Sequence, residues 1–454
     1  TVERVTIADP SQISKPTTSH ESTRIVPLDT SAAVPMGDPP KRSDRACRSP
    51  VAGIMTGHDV KPAPRYMALD GWRGICACLV ALFHFRTNSH TYDLSFFRDA
   101  YLFVDFFFVL SGFVIFANYA DRLQSGFGVA RFLWLRFWRL YPLHLALLLA
   151  YIGFDLLQMA LPFLGAGAHY KPFSAPGETP GFMISNFLLI HSLGFHSRLA
   201  FNGPSWSIST EFYTYVLFAA ALVILRRHTV WAILFLLLAA PIFLAVFAPS
   251  FMDTTLQFGF VRCLYSFSAG AATWLLCRRY GDSVSDFLKK PFTGNAVEIG
   301  LFFLTVIFVT VAGTGVWSLL APFIFSAVVC GFSFERGIVS SLLKTRFFAF
   351  LGLLSYSIYM NHSFVAGKIF FGMIGVVEKF SSLRMTVAVE DQIRLGVTPW
   401  QGDMINLVYL AVLIVCSFVT YKIIEEPARR WSRNIVEGKK NPFGFCLSKK
   451  EERT

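Results

Sequence analysis

Residues 69–85 read LDGWRGICACLVALFHF. The stretch is apolar enough to lie in a membrane, yet it carries Asp70, Arg73 and His84. On an α-helix, the step from Arg73 to His84 is about three turns with a net rotation of only about 20°, at roughly 100° per residue. The two therefore share one face, about 16 Å apart along the axis at ~1.5 Å per residue. Ala77, one turn beyond Arg73, keeps that face narrow. Alone, Arg73 reads as a surface anchor paired with Asp70, and His84 as an interfacial histidine bonded to a carbonyl. Together on one face, with Gly71 and Gly74 beside them, they point to a functional site, because ionisable groups at bilayer depth are costly.

The rest of the chain agrees that this is a membrane protein. It has 454 residues, 54% hydrophobic and only 15% charged, with a mean hydropathy of +0.50; soluble domains are about a quarter charged. The expected fold class is an all-α, polytopic membrane helix bundle. A net charge of +12 would suggest nucleic acid in a soluble chain. Here it is expected to reflect basic residues held in cytoplasmic loops, so the lipid bilayer is the expected surrounding and no nucleic-acid partner is implied. The eight cysteines show no paired spacing, and Cys76 and Cys78, two apart on a helix, face different ways. Neither a disulfide framework nor a metal site is expected.

Residues 1–64 are rich in Pro, Ser, Thr and charge and read as a disordered cytoplasmic tail. They hold no apolar signal-peptide core, so the first span is expected to start insertion itself. The membrane domain is expected over 65–432, followed by a basic cytoplasmic tail at 433–454. About ten spans are expected, at 67–86, 101–119, 140–162, 206–225, 229–248, 257–277, 297–313, 316–334, 347–372 and 404–424. With both termini cytoplasmic in the cell (inner) membrane, this drawing puts every basic link inside. Those links hold Arg122, Arg131, Arg136 and Arg139; Arg226 and Arg227; Arg278, Arg279, Lys289 and Lys290; and Arg336, Lys344 and Arg346. The segment 163–205, with Ser174 in it, is then placed outside. Its apolar part, GFMISNFLLIHSLGF (181–195), is too short to span and is expected to dip into the protein.

Other polar groups fall at matching depths. In LFVDFFFVLSGF, Asp105 sits near the outer end of the second span and Ser111 near its middle. PSWSISTEFYTY brings Trp206 and Ser207 to the top of the fourth span, with Glu211 one turn below. SYSIYMNHSF places Tyr356, Tyr359 and His362 in the middle to outer part of the ninth. At the inner side, RFWRLYP sets Arg136 and Arg139 at i and i+3, one cationic face entering the third span.

With these residues in order, the chain resembles the membrane acyltransferase-3 family over about 65–432. The motifs are the Arg73/His84 pair, VDFFFVLSGF, RFWRLYP, PSWSISTEF, SYSIYMNH and YKIIEEPARRW. The resemblance implies transfer of an acyl group, most often acetyl, from cytoplasmic acyl-CoA to a sugar hydroxyl, often across the membrane. It implies Arg73 with His84 as one essential pair and Arg136 with Arg139 as a second. Some members carry an added extracytoplasmic hydrolase-like domain, which this chain is expected to lack.

The chemistry fits those residue types. Acyl transfer from a thioester needs a base for the attacking hydroxyl, and histidine titrates near neutrality; a transient acyl-histidine is the alternative. A carboxylate commonly orients such a histidine, with Asp105 as first choice and Glu211 as second. Arginine grips phosphate bidentately, which suits Arg136 and Arg139 to CoA, with Arg73 further in. Ser111, Trp206, Tyr356 and His362 complete the expected substrate-binding set. The expected partners are acyl-CoA, acetyl-CoA above all, and a saccharide or glycolipid acceptor, with no metal. The competing class is a transporter or flippase, which would show interrupted helices paired between two related halves; none are visible.

Overall fold

The computed structural model describes residues 65–160, 179–381, 383–389 and 392–438. The expected tail 1–64, Ser174 with the rest of 161–178, and residues 439–454 lie outside the described residues.

The first helix, α1 (Met67–His84), is followed by a one-turn α2 (Ser95–Arg98) and by α3 (Phe103–Gln124). Next come α4 (Val129–Ala160), the short α5 (Pro180–Phe187), α6 (Trp206–Ile224) and α7 (Thr229–Phe247). Then follow α8 (Gly259–Leu288), α9 (Pro291–Ala312), α10 (Ala321–Ser333), α11 (Ile338–Leu343) and α12 (Arg346–Phe364). α12 runs on through a π-helical turn, Val365–Phe371, into α13 (Gly372–Phe380). An antiparallel hairpin, β1 (Thr386–Val389) and β2 (Gln392–Leu395), precedes α14 (Pro399–Thr420). A second π-turn, Tyr421–Glu425, then leads into α15 (Glu426–Val436).

Among the described residues, nine helices are long and apolar enough to cross a membrane. α12 is not one of the nine, because Ser355, Tyr356, Ser357, Tyr359, Asn361 and His362 break its apolar run; all six are buried. It packs along α1, so its polar side chains meet protein rather than lipid. α5 is eight residues long, about 12 Å at ~1.5 Å per residue, and cannot cross. Its Phe182, Ser185 and Asn186, and the following Leu189, His191 and Ser192, are buried, as expected for a segment dipping into the protein. The third span starts earlier than expected. α4 begins at Val129, which puts Arg131, Arg136 and Arg139 on the helix rather than in the link before it.

Glycines decide which helices lie against each other. α1 and α12 run parallel, with Gly74 against Leu351 and Gly352 and Gly352 against Asp70. α3 and α8 also run parallel, with Gly112 against Phe267 and Gly270 against Val109. A Cβ on Gly270 would stand 1.8 Å from the Val109 carbonyl oxygen, so only hydrogen fits there. Small residues that let backbones touch are how membrane helices gain contact where lipid supplies no hydrophobic drive. Gly270→Ala is expected to cost roughly 1–3 kcal/mol, as overpacking does; an unchanged melting midpoint in detergent would show that α3 and α8 part easily.

The pairings give the bundle two ends. One carries Arg73, Arg136 and Arg139; the other carries His84, His362 and the first turns of α3, α6 and α8. α15 closes the arginine end, where Trp431 packs against Trp134 (5.7 Å) and Trp138 (4.5 Å) of α4.

Candidate active site

At the arginine end a cavity of about 330 Å³ opens between α1, α3, α4, α6 and α12. Four guanidinium groups line it, those of Arg65, Arg73, Arg136 and Arg139, against two carboxylates, Asp70 and Glu211. The cavity therefore carries excess positive charge. Asp70 stands between Arg65 (3.1 Å) and Arg73 (3.4 Å), so the expected Arg73–Asp70 contact exists, and Arg73 still faces the cavity. Arg136 donates to the Tyr119 hydroxyl (2.9 Å), and its Nε is buried with no partner among the described residues. Arg139 lines the same cavity, where the carboxylates of Glu425 and Glu211 act on it electrostatically. Arg136 and Arg139 present one face because α4 carries them three residues apart. α12 is tied to that helix by the Tyr356 hydroxyl, which donates to the Leu140 carbonyl (2.5 Å). That tie lies two residues before Pro142, where the helical ladder loses an N–H.

Deeper in, Ser111 of α3 donates to the Glu211 carboxylate (2.7 Å) and meets the Tyr215 hydroxyl (2.7 Å). Tyr215 donates to the same carboxylate oxygen. All three line the cavity. The cavity ends among aromatic rings. Phe107 and Tyr359 both line it, their rings 5.8 Å apart. Tyr359 in turn packs against His362 at 5.7 Å.

His84 lies beyond these rings, at the last residue of α1. Its Nδ1 is 2.9 Å from the Val80 carbonyl oxygen. A carbonyl only accepts, so Nδ1 carries the proton and Nε2 keeps its lone pair. His84 keeps an exposed surface, and its ring sits 4.8 Å from that of His362. The charges acting on it are Arg98, Asp253 and Arg86, which rim this end. Beside them, burial pushes the Asp99 carboxyl above its ordinary range, with Asp253 reinforcing and Arg98 opposing.

The tertiary arrangement redistributes the expected site residues. Arg73, Arg136, Arg139, Ser111, Glu211 and Tyr356 come together in one cavity, whereas His84 and His362 form a separate pair. Asp105, expected to orient His84, does not touch it. It is fully buried and held by Arg262 (Nη2 2.7 Å, Nε 3.0 Å) and Ser266 (2.9 Å). Glu211 does not touch His84 either, being taken up by Ser111 and Tyr215. Trp206 packs over Gly259, where a side chain's Cβ would stand 3.0 Å from its ring, and beside the Arg262 guanidinium (5.4 Å), outside the cavity lining. The sequence reading passed over Arg262, although an arginine in the apolar run of α8 is itself the kind of costly group that signals a partner. It also passed over Tyr215, whose one-turn offset from Glu211 was the available signal.

The model of the family described as "Acyltransferase domain" matches residues 66–422. The chain is 34% identical over 161 residues to "Protein 2 in picA locus" of Rhizobium radiobacter, covering 33% of this chain and 78% of that protein. It is 25% identical over 252 residues to "Putative membrane-bound transacylase BcsY" of Komagataeibacter xylinus, covering 54% of this chain and 61% of that protein. No solved structure matches.

Proposed function

The chain belongs to the Acyltransferase domain family, and on that premise we propose that it moves an acyl group, acetyl foremost, from cytoplasmic acyl-CoA to a hydroxyl of a saccharide or glycolipid on the far side of the inner membrane. The observation that carries this is the cavity with four guanidinium groups at one end, the Arg136 Nε without a partner among the described residues, and a histidine with a free lone pair beyond the other end. Phosphates of CoA would satisfy Arg136 and Arg139, whose planar forks grip phosphate in pairs of hydrogen bonds. The pantetheine arm would then run past Arg73 and Glu211 toward Tyr359. The Arg73–His84 rise of about 16 Å is comparable to that arm when extended. His84 Nε2 takes the proton of the acceptor hydroxyl as it attacks the thioester, and the proton goes on to the departing CoA thiolate. In this drawing both termini are cytoplasmic, so that donor and acceptor enter from opposite ends.

Acyl-CoA turnover by purified protein, together with mass spectrometry of surface glycans with and without it, tests the proposal. No CoA release and no acylated glycan would overturn it. The donor end has its own test. Arg139→Lys keeps the charge but loses the fork and is expected to weaken acyl-CoA binding about tenfold, or about 1.4 kcal/mol, in a calorimetric titration. Unchanged affinity would leave Arg139 as a surface anchor only.

A further inference from the structure

We propose that His362 is the proton-sharing partner of His84, so that the two imidazoles act as a single base in the acyl transfer. This rests on the reading of His84 as the base. Such a histidine is usually backed by a carboxylate that stabilises its charged form, and neither Asp105 nor Glu211 is available for that role. The group packed against it is another imidazole, 4.8 Å away centre to centre with the ring planes 37° apart.

The two rings are held alike. His362 Nδ1 donates to the Tyr359 carbonyl (2.6 Å), as His84 Nδ1 does to Val80. Both Nε2 atoms therefore keep lone pairs. That of His362 is buried with no partner among the described residues, in a side chain that is itself fully buried. An orphaned buried acceptor is costly unless something fills it. A proton shared with His84 fills it during turnover. The helices that carry the pair are locked side by side by Gly74 and Gly352. The groups facing the pair from the surrounding elements are Arg86, Arg98 and Asp253 near His84, and the hydroxyl-bearing Tyr359 and Tyr409, which donates to the His362 carbonyl. Of these, only Asp253 is a carboxylate, and it forms no ion pair with either ring.

The step balances. The acceptor O–H bond breaks and its proton passes to His84 Nε2, shared with His362 Nε2. The alkoxide oxygen bonds to the thioester carbon. The C–S bond then breaks, and the histidine pair returns the proton to the CoA thiolate. The products are an ester and free CoA thiol, with neither histidine changed.

His362→Gly, assayed as the full chain in proteoliposomes, is expected to lower kcat about ten- to hundredfold with the KM for acyl-CoA unchanged. Imidazole added to the buffer is expected to recover at least a third of that loss on a logarithmic scale. Thiazole, a ring of similar size that scarcely takes a proton, should recover none. Equal recovery by both rings, or recovery by neither, means that His362 only packs, and the proposal fails. If the glycine variant does not fold, His362→Gln and His362→Phe replace it: a folded glutamine variant at wild-type rate overturns the proposal, and loss in both supports it. Loss at His84 without loss at His362 overturns the pair alone, whereas full activity in variants of both overturns the reading on which it rests.

Discussion

Replacing His84 by alanine is expected to lower acyl transfer by about 10²–10⁴-fold, the range for loss of a positioned general base. An obligate acyl-histidine would lose more. The expectation follows from geometry. The Val80 carbonyl fixes the tautomer, so Nε2 is the basic atom, and the residue keeps an exposed surface at this end of the bundle. Stability should change little, because the side chain ends α1 and is partly exposed. The measurement is transfer by purified protein in proteoliposomes, with membrane abundance checked by blot. A variant retaining more than about a tenth of the wild-type rate would fall short of the smallest effect expected of a lost base, and His84 would then not be the catalytic group.

Asp105→Ala is expected to unfold the bundle rather than to slow the chemistry. On sequence alone, Asp105 is an orienting carboxylate whose loss misaligns a histidine. In the fold its carboxylate takes three bonds from two nitrogens of Arg262 and one from Ser266 at 0% exposure. Removing one partner of such a pair leaves a buried guanidinium uncompensated, at a cost of about 3–5 kcal/mol. Arg262→Met alone is expected to cost a similar amount. The double variant Asp105→Leu/Arg262→Met should recover much of the loss, because no unpaired charge then remains buried. The measurement is the melting midpoint in detergent of the two single variants and the double. Normal melting of Asp105→Ala, with transfer reduced, would return Asp105 to a catalytic role.

Much of the architecture is legible in local pattern. Runs of apolar residues of the right length mark the helices, since a span has to satisfy its own backbone in lipid. α12 shows the limit of that signal. Its polar residues lower its hydropathy, yet they are buried in the protein, while Phe347, Phe350 and Leu353 keep an exposed apolar face. The start of α4 shows another. Arg131, Arg136 and Arg139 look like a loop by charge, but a helix can carry cations past the end of its apolar stretch.

What the sequence by itself determined is periodicity. Arg73 and His84 share a face, as do Arg136 and Arg139, because helical phase depends only on spacing along one segment. The Arg73–Asp70 contact follows from the same spacing, whereas Glu211, expected beside His84, lines the arginine cavity instead. Only the tertiary structure decided which groups meet across helices. Asp105 found Arg262 rather than His84, Glu211 found Ser111 and Tyr215, and His84 found His362. The physical reason is that the rotation of one helix against another is set by where backbones can touch. Here that is at Gly112 with Gly270 and at Gly74 with Gly352, and no residue's own periodicity records which distant helix will occupy the space a glycine leaves.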